Sequence, residues 1–183
     1  MIRMGSGCVV DSHDQDFIID VIEGLSIVSL KISKSHLSQV PESMELAKAN
    51  TVSGRDPRSL WLGPDRWLLL SMDSTSEELQ KMCSDSLGAI NYLAIDYSAA
   101  LFSISLCGTE ASKILNSGTG IDFRSKYFVL NSCCRTRLGQ VAAIIVADGL
   151  NKFSIHVDRS YEQYLRDWFV VTTDIYNSRF LAS

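Results

Sequence analysis

The chain has 183 residues, 46% of them hydrophobic, and a formal net charge of −4, figures that suit a soluble globular protein and exclude a disordered one. With 17 Lys and Arg against 21 Asp and Glu, scattered along the chain, there is no basic footprint for nucleic acid or for an anionic membrane surface. No apolar run reaches the roughly 18–20 residues that cross a bilayer, and the opening MIRMGSGCVVDSHDQDF lacks the apolar core of a signal peptide, so a cytoplasmic protein is expected.

In chain order, residues 1–16 read as a flexible arm, and Phe17 to Ile22 as a short strand ending at Glu23-Gly24. Leu25 to Ile32 alternates apolar and polar residues, the pattern of a half-buried strand. Leu37, Val40, Met44 and Ala47 share one helical face, but Pro41 makes that helix short or irregular. Ser59–Leu62 and Arg66–Met72 then form a hairpin about Gly63-Pro64-Asp65, within the segment LWLGPDRWLLL. A hydroxyl cap and Glu77-Glu78 start a helix at residues 74–78, with Leu79, Met82, Cys83 and Leu87 on its apolar face and Gly88 at its end. Ile90–Asp96 is the next strand. The order strand, helix, hairpin, helix, strand predicts a ferredoxin-like α+β module over residues 17–97.

The remainder predicts a second α+β module over residues 98–178, packed on the first, with a tail at 179–183. Ala100–Leu106 alternates again, and Gly108-Thr109-Glu110 opens a helix that Gly118 and Gly120 break. A connector at 121–130 leads to strands at Cys134–Leu138, Val141–Ala147 and Lys152–Val157, with turns at Gly139-Gln140 and Asp148-Gly149. Ser160 is placed to cap a last helix with Tyr161, Tyr164, Leu165, Trp168 and Phe169 along one face. The fold class expected is therefore α+β, with mainly antiparallel sheets.

Reactive constellations are sparse in this pattern. Cys8, Cys83, Cys107, Cys133 and Cys134 have no zinc or redox spacing and read as reduced, mostly buried thiols. His13, His36 and His156 stand apart from other ligands; His156 reads as a structural imidazole, with a general base as the alternative. Gly5-Ser6-Gly7 and Gly118-Thr119-Gly120 lie in the wrong order relative to strand and helix for a dinucleotide loop. Asp96 ends a strand before Tyr97-Ser98-Ala99, where it can accept local N–H groups or serve a site. The stripe Tyr161, Tyr164, Trp168, flanked by Arg159 and Arg166, suits either a core or a protein–protein face. No catalytic, cofactor-binding or metal-binding residue is assigned.

Three stretches together resemble the gamma subunit of heterotetrameric sarcosine oxidase. LWLGPDRWLLL at 60–70 is similar to that family's paired-tryptophan segment. Ile95-Asp96-Tyr97-Ser98, leading on to Cys107-Gly108, resembles its Asp-Val-Ser-His bend, and residues 153–168 resemble its closing strand and helix. The resemblance implies ferredoxin-like modules similar to part of the aminomethyltransferase (T-protein) fold. It also implies a subunit without a catalytic centre, packed on larger subunits, chiefly alpha, that hold FAD, FMN, NAD and tetrahydrofolate. Arg66 stands where the family has glutamate, and Ala99 where the motif has histidine. The latter, with the lack of a third domain, argues against folate chemistry in this chain.

The function expected is thus a non-catalytic, structural subunit of an N-methylglycine-oxidising, tetrahydrofolate-linked flavoenzyme complex. Trp61, Arg66 and Trp67 are the candidate partner contacts. The alternatives are a small folate-binding aminomethyltransferase-like protein acting alone through Asp96, and a free-standing homo-oligomer pairing its aromatic faces.

Overall fold

The computed structural model describes residues 17–88 and 90–180, with the side chains of the last helix described as far as Asp174. The expected arm at 1–16 and the end of the expected tail, 181–183, lie outside the described residues. In chain order the elements are β1 (Ile18–Val21), β2 (Ser26–Ile32), 3-10 turns at Lys34–Gln39 and Glu42–Met44, β3 (Val52–Ser53), β4 (Arg58–Gly63) and β5 (Arg66–Ser71). There follow α1 (Ser76–Leu87), β6 (Tyr92–Asp96), β7 (Leu101–Cys107), α2 (Ala111–Gly118), β8 (Cys133–Leu138), β9 (Val141–Gly149), β10 (Lys152–Asp158), a 3-10 turn at Arg159–Tyr161, and α3 (Glu162–Phe180). They divide into two units, one of residues 23–100 and 131–134, the other of the remaining described residues.

The unit of residues 23–100 is built on a sheet ordered β3-β4-β5-β2-β6. Alternation along β2 puts Val28, Leu30 and Ile32 on one face, and antiparallel register sets Val28 against Leu69 and Leu30 against Trp67. That face shares a core with Met44, Ala47 and the α1 residues Leu79, Cys83 and Leu87. Four-residue spacing aims the three α1 side chains at the sheet, and each buried leucine contributes about 2 kcal/mol. A capping box starts α1: Glu78 N–H donates to the Thr75 hydroxyl at 3.2 Å, and Thr75 N–H to the Glu78 carboxylate at 2.8 Å. Gly88 closes it at φ 51°. Where a helix was expected around residue 40, Val40 is extended (ψ 125°) because Pro41 follows, leaving two 3-10 turns. Strand order and connections are otherwise those of a ferredoxin-like module.

The other unit has a sheet ordered β1-β7-β10-β9-β8. This is the same serial arrangement, with β7, β10 and β9 in the places of β2, β5 and β4, and β8 in that of β3. β1 occupies the outer place that β6 fills in the first sheet. Here the structure departs from expectation. The strand at 18–21, expected with the module of residues 17–97, pairs antiparallel with β7, from Ile18 opposite Cys107 to Val21 opposite Ile104. A four-residue apolar run announces a strand but not its neighbour. Cross-strand pairs Phe102–Val157, Ile104–Ile155 and Leu106–Phe153 line one face. Ile114 and Leu115 of α2, and Leu165 and Phe169 of α3, are buried in the same unit. The β9–β10 turn falls at Leu150-Asn151, two residues later than expected, with Asn151 at φ 52° supplying the left-handed position. Among the described residues no helix is long and apolar enough to cross a membrane.

Candidate functional site

The hairpin β4–β5 sets Trp61 directly opposite Trp67, and Gly63 opposite Arg66, with Leu62 dropping out of the ladder between them. That irregularity puts both indoles on the face bearing Leu30 and Leu69. Trp67 is buried, and its Nε1–H donates to the Ala47 carbonyl at 2.9 Å. The Ala47 N–H in turn donates to the Ser59 hydroxyl at 3.1 Å, so the hairpin grips the irregular segment after Pro41 by both of one residue's backbone groups. Trp61 is half-buried against the same core. Of the three candidate contacts only Arg66 is exposed. On the opposite face of this sheet it stands across from Lys31.

The bend after β6 is held by Asp96. Its Oδ1 accepts from the Ser98 N–H at 2.9 Å and the Ser98 hydroxyl at 2.7 Å, and its Oδ2 from the Ser76 hydroxyl at 2.9 Å. The Ser98 hydroxyl bond, then the Ser98 N–H and Ser76, hold this carboxyl below the usual aspartate range. Ser98 Oγ also accepts from the Ile27 N–H at 2.9 Å, which ties the bend back to β2. Asp96 therefore takes the first of the two courses open to it, organising its own backbone turn.

In the other unit, His156 lies buried on β10 with its Nδ1 2.8 Å from the Ser103 hydroxyl of β7. Register places Ser103 and His156 side by side, and Asp20, Ser105 and Ser154 in a row across β1, β7 and β10 on that face. Ser103, Ser154, His156 and Asp20 are all buried. Alternation in the sequence marks these serines as the polar side of a strand but carries no sign that this side would be covered.

Of the aromatic stripe, Tyr164 and Trp168 of α3 pack against two glycines, whereas Tyr161 lies in the preceding 3-10 turn and is exposed. A Cβ at Gly118 would meet the Trp168 ring at 2.4 Å, and one at Gly139 (φ 58°) the Tyr164 hydroxyl at 2.4 Å. Gly139 N–H donates to the Gly118 carbonyl at 2.8 Å, and Gln140 N–H to the Tyr164 hydroxyl at 2.8 Å. At the start of this region Asp158, not Ser160, is the cap, accepting from Ser160 N–H at 2.9 Å and from the Ser160 hydroxyl at 2.6 Å. Arg166 and Arg159 both reach Glu162, at 2.8 Å and 3.3 Å. Their guanidinium carbons lie 4.8 Å and 5.7 Å from the centroid of the buried Phe102 ring. The two arginines are thus engaged by the chain itself.

Cys83 and Cys133 are buried thiols, pushed up by burial to about 11 and about 12 respectively. Cys134 is a half-buried thiol. Cys107 departs from the expectation of reduced thiols, because it is disulfide-bonded. Such a link is a tertiary event that cysteine spacing does not record. Among the described residues no group of three or more His, Cys, Asp or Glu is arranged to hold a metal.

Comparison with known proteins is informative at the level of family and fold. A family model described as "Sarcosine oxidase, gamma subunit family" matches residues 36–174. In fold the chain is similar to a heterotetrameric sarcosine oxidase from Corynebacterium sp. U-96, solved in complex with pyrrole 2-carboxylate. The TM-score is 0.76 at 20% identity, over 86% of this chain and 84% of that one. It is also similar to the glycine cleavage system aminomethyltransferase T from Bartonella henselae, with TM-score 0.63 and 11% identity. That likeness covers 84% of this chain but 45% of the aminomethyltransferase. No curated protein matches by sequence.

Proposed function

Since the chain belongs to the sarcosine oxidase gamma subunit family, we propose that it is a non-catalytic gamma-type subunit of a complex that oxidises N-methylated glycine and passes the one-carbon unit to tetrahydrofolate. Its work is assembly: it packs on larger subunits, chiefly an alpha-type one, which carry FAD, FMN, NAD and tetrahydrofolate. The observation that carries this reading is the family match over residues 36–174. It is supported by the state of Asp96, the acid on which a free-standing folate enzyme would have to rely. That carboxylate is spent on Ser98 and Ser76. The aminomethyltransferase likeness agrees with a shared module, since it spans less than half of that protein.

Co-expression with alpha-, beta- and delta-type subunits, followed by affinity capture of this chain, tests the reading. The flavin-bearing subunits are expected to co-purify in fixed proportion. Their absence from the captured material would remove the basis for a subunit. Titration of the isolated chain with tetrahydrofolate, read by tryptophan fluorescence, is expected to show no saturable change. A saturable one would favour the folate-binding alternative.

A further inference from the structure

β6 lies at the edge of its sheet. Leu93, Ile95 and, just past its end, Tyr97 are 54%, 47% and 39% exposed. They fall at every second residue, and so on one face, over about 13 Å. Register puts Leu93 opposite Lys31 and Ile95 opposite Ser29. Tyr97 continues the row, its N–H donating to the Ile27 carbonyl at 2.7 Å. Lys31 in turn stands opposite Arg66 on β5. Directly opposed side chains share a face, so three exposed apolar residues and two exposed cations form one continuous surface, on the side of the sheet away from Trp67.

This surface is incomplete in two respects. Like charges directly opposed across a ladder repel each other, and among the described residues Lys31 and Arg66 form no ion pair with a carboxylate. An apolar row on an edge strand is a liability that proteins cover. Addition of a strand does not supply the cover, because Gln80 of α1 donates to the Ala94 carbonyl at 3.0 Å and occupies the middle of the open edge. On this face Ile27, Leu60, Leu68 and Leu70 are buried, and the part that remains open is the one formed by Leu93, Ile95, Tyr97, Lys31 and Arg66.

We infer that this face is a docking surface for another subunit of the complex, one that lays apolar side chains on Leu93, Ile95 and Tyr97 and a carboxylate between Lys31 and Arg66. The inference rests on the subunit reading above and adds to it the surface and the chemistry of the partner. Charge complementarity selects an acidic partner over a second copy of this chain, which would set the same cations against each other. Arg66, singled out in the sequence for reversing the family's glutamate, becomes the charged half of the contact.

The test uses the full chain with its co-expressed subunits, comparing wild type with Ile95→Asp, Arg66→Glu and Lys31→Glu, and with Leu150→Asp as a control at an 80% exposed turn residue of the other unit. Circular dichroism and melting midpoint establish that each variant is folded. If Ile95→Asp does not fold, the two exposed cation variants carry the test. Binding by wild type, at least tenfold weaker binding by the Ile95, Arg66 and Lys31 variants, and unchanged binding by Leu150→Asp is the expected result. Binding of all variants at wild-type affinity would overturn the surface while leaving the subunit reading intact. Failure of wild type to bind would overturn the subunit reading itself. Self-association of the isolated chain that Ile95→Asp abolishes would show that the row covers a second copy, and would also overturn the inference.

Discussion

Trp67 illustrates how one residue can serve two purposes in a core. Its ring fills the space beneath Leu30, and its Nε1–H holds the Ala47 carbonyl. Trp67→Phe keeps most of the apolar contact and deletes the hydrogen bond, leaving a carbonyl without that partner. A loss of about 1–3 kcal/mol is expected in urea unfolding, with little change in slope. A neutral result would mean that water replaces the indole there. Glu162 offers a second residue-scale check. Arg166 first, and then Arg159, hold its carboxyl below the usual glutamate range. Its folded pKa is therefore lower than its unfolded one, and its contribution to stability is full above the unfolded value of about 4.3. That contribution is lost as pH falls through the folded value. Glu162→Gln should flatten this acid limb of a stability–pH profile and leave the shape near neutrality unchanged. The sequence shows both tryptophans and the odd arginine. It cannot show that Leu62 leaves the ladder, and on that bulge depends whether Trp61 and Trp67 share a face.

At the scale of elements, α3 meets the rest of its unit through side chains that tolerate nothing larger than hydrogen on Gly118. Gly118→Ala would drive a methyl to 2.4 Å from the Trp168 ring. The expected cost is about 1–3 kcal/mol, measured by thermal unfolding. A second change, Trp168→Leu, should recover part of it by making room, and absence of recovery would place the strain elsewhere. The apolar periodicity of α1 and of the long strands made these elements legible, since each buries one regular face. Three features were not legible in full. Pro41 forces Val40 to be extended, so a helical spacing yields 3-10 turns. Asp158 rather than Ser160 caps the last helical region, and both are good cap residues, two positions apart. The strand at 18–21 finds its partner more than eighty residues away, which no short window encodes.

For the whole molecule, the two sheets repeat one strand order without repeating sequence. The repeat became visible only once β1 was seen beside β7. Ferredoxin-like layout was readable in the first half because its strands run in sequence order around a hairpin and a capped helix. In the second it was hidden, because the outer strand comes from the start of the chain. Family membership was carried by a few motifs, above all LWLGPDRWLLL, and the family match over residues 36–174 agrees with them. Those same motifs turn out to be scaffold: Trp67 in a core and Asp96 in a turn. The surface inferred to meet a partner lies on alternate residues of an ordinary strand, where nothing in the pattern distinguishes an exposed apolar row from a buried one.

In the function proposed above, this chain stabilises a cofactor-bearing complex and does no chemistry of its own. The most direct measurement is residual N-methylglycine oxidation, per bound flavin, after heating the purified complex assembled with and without this chain. Comparable turnover before heating and a markedly lower inactivation temperature when the chain is left out are expected. Equal heat resistance of the two preparations would contradict that role.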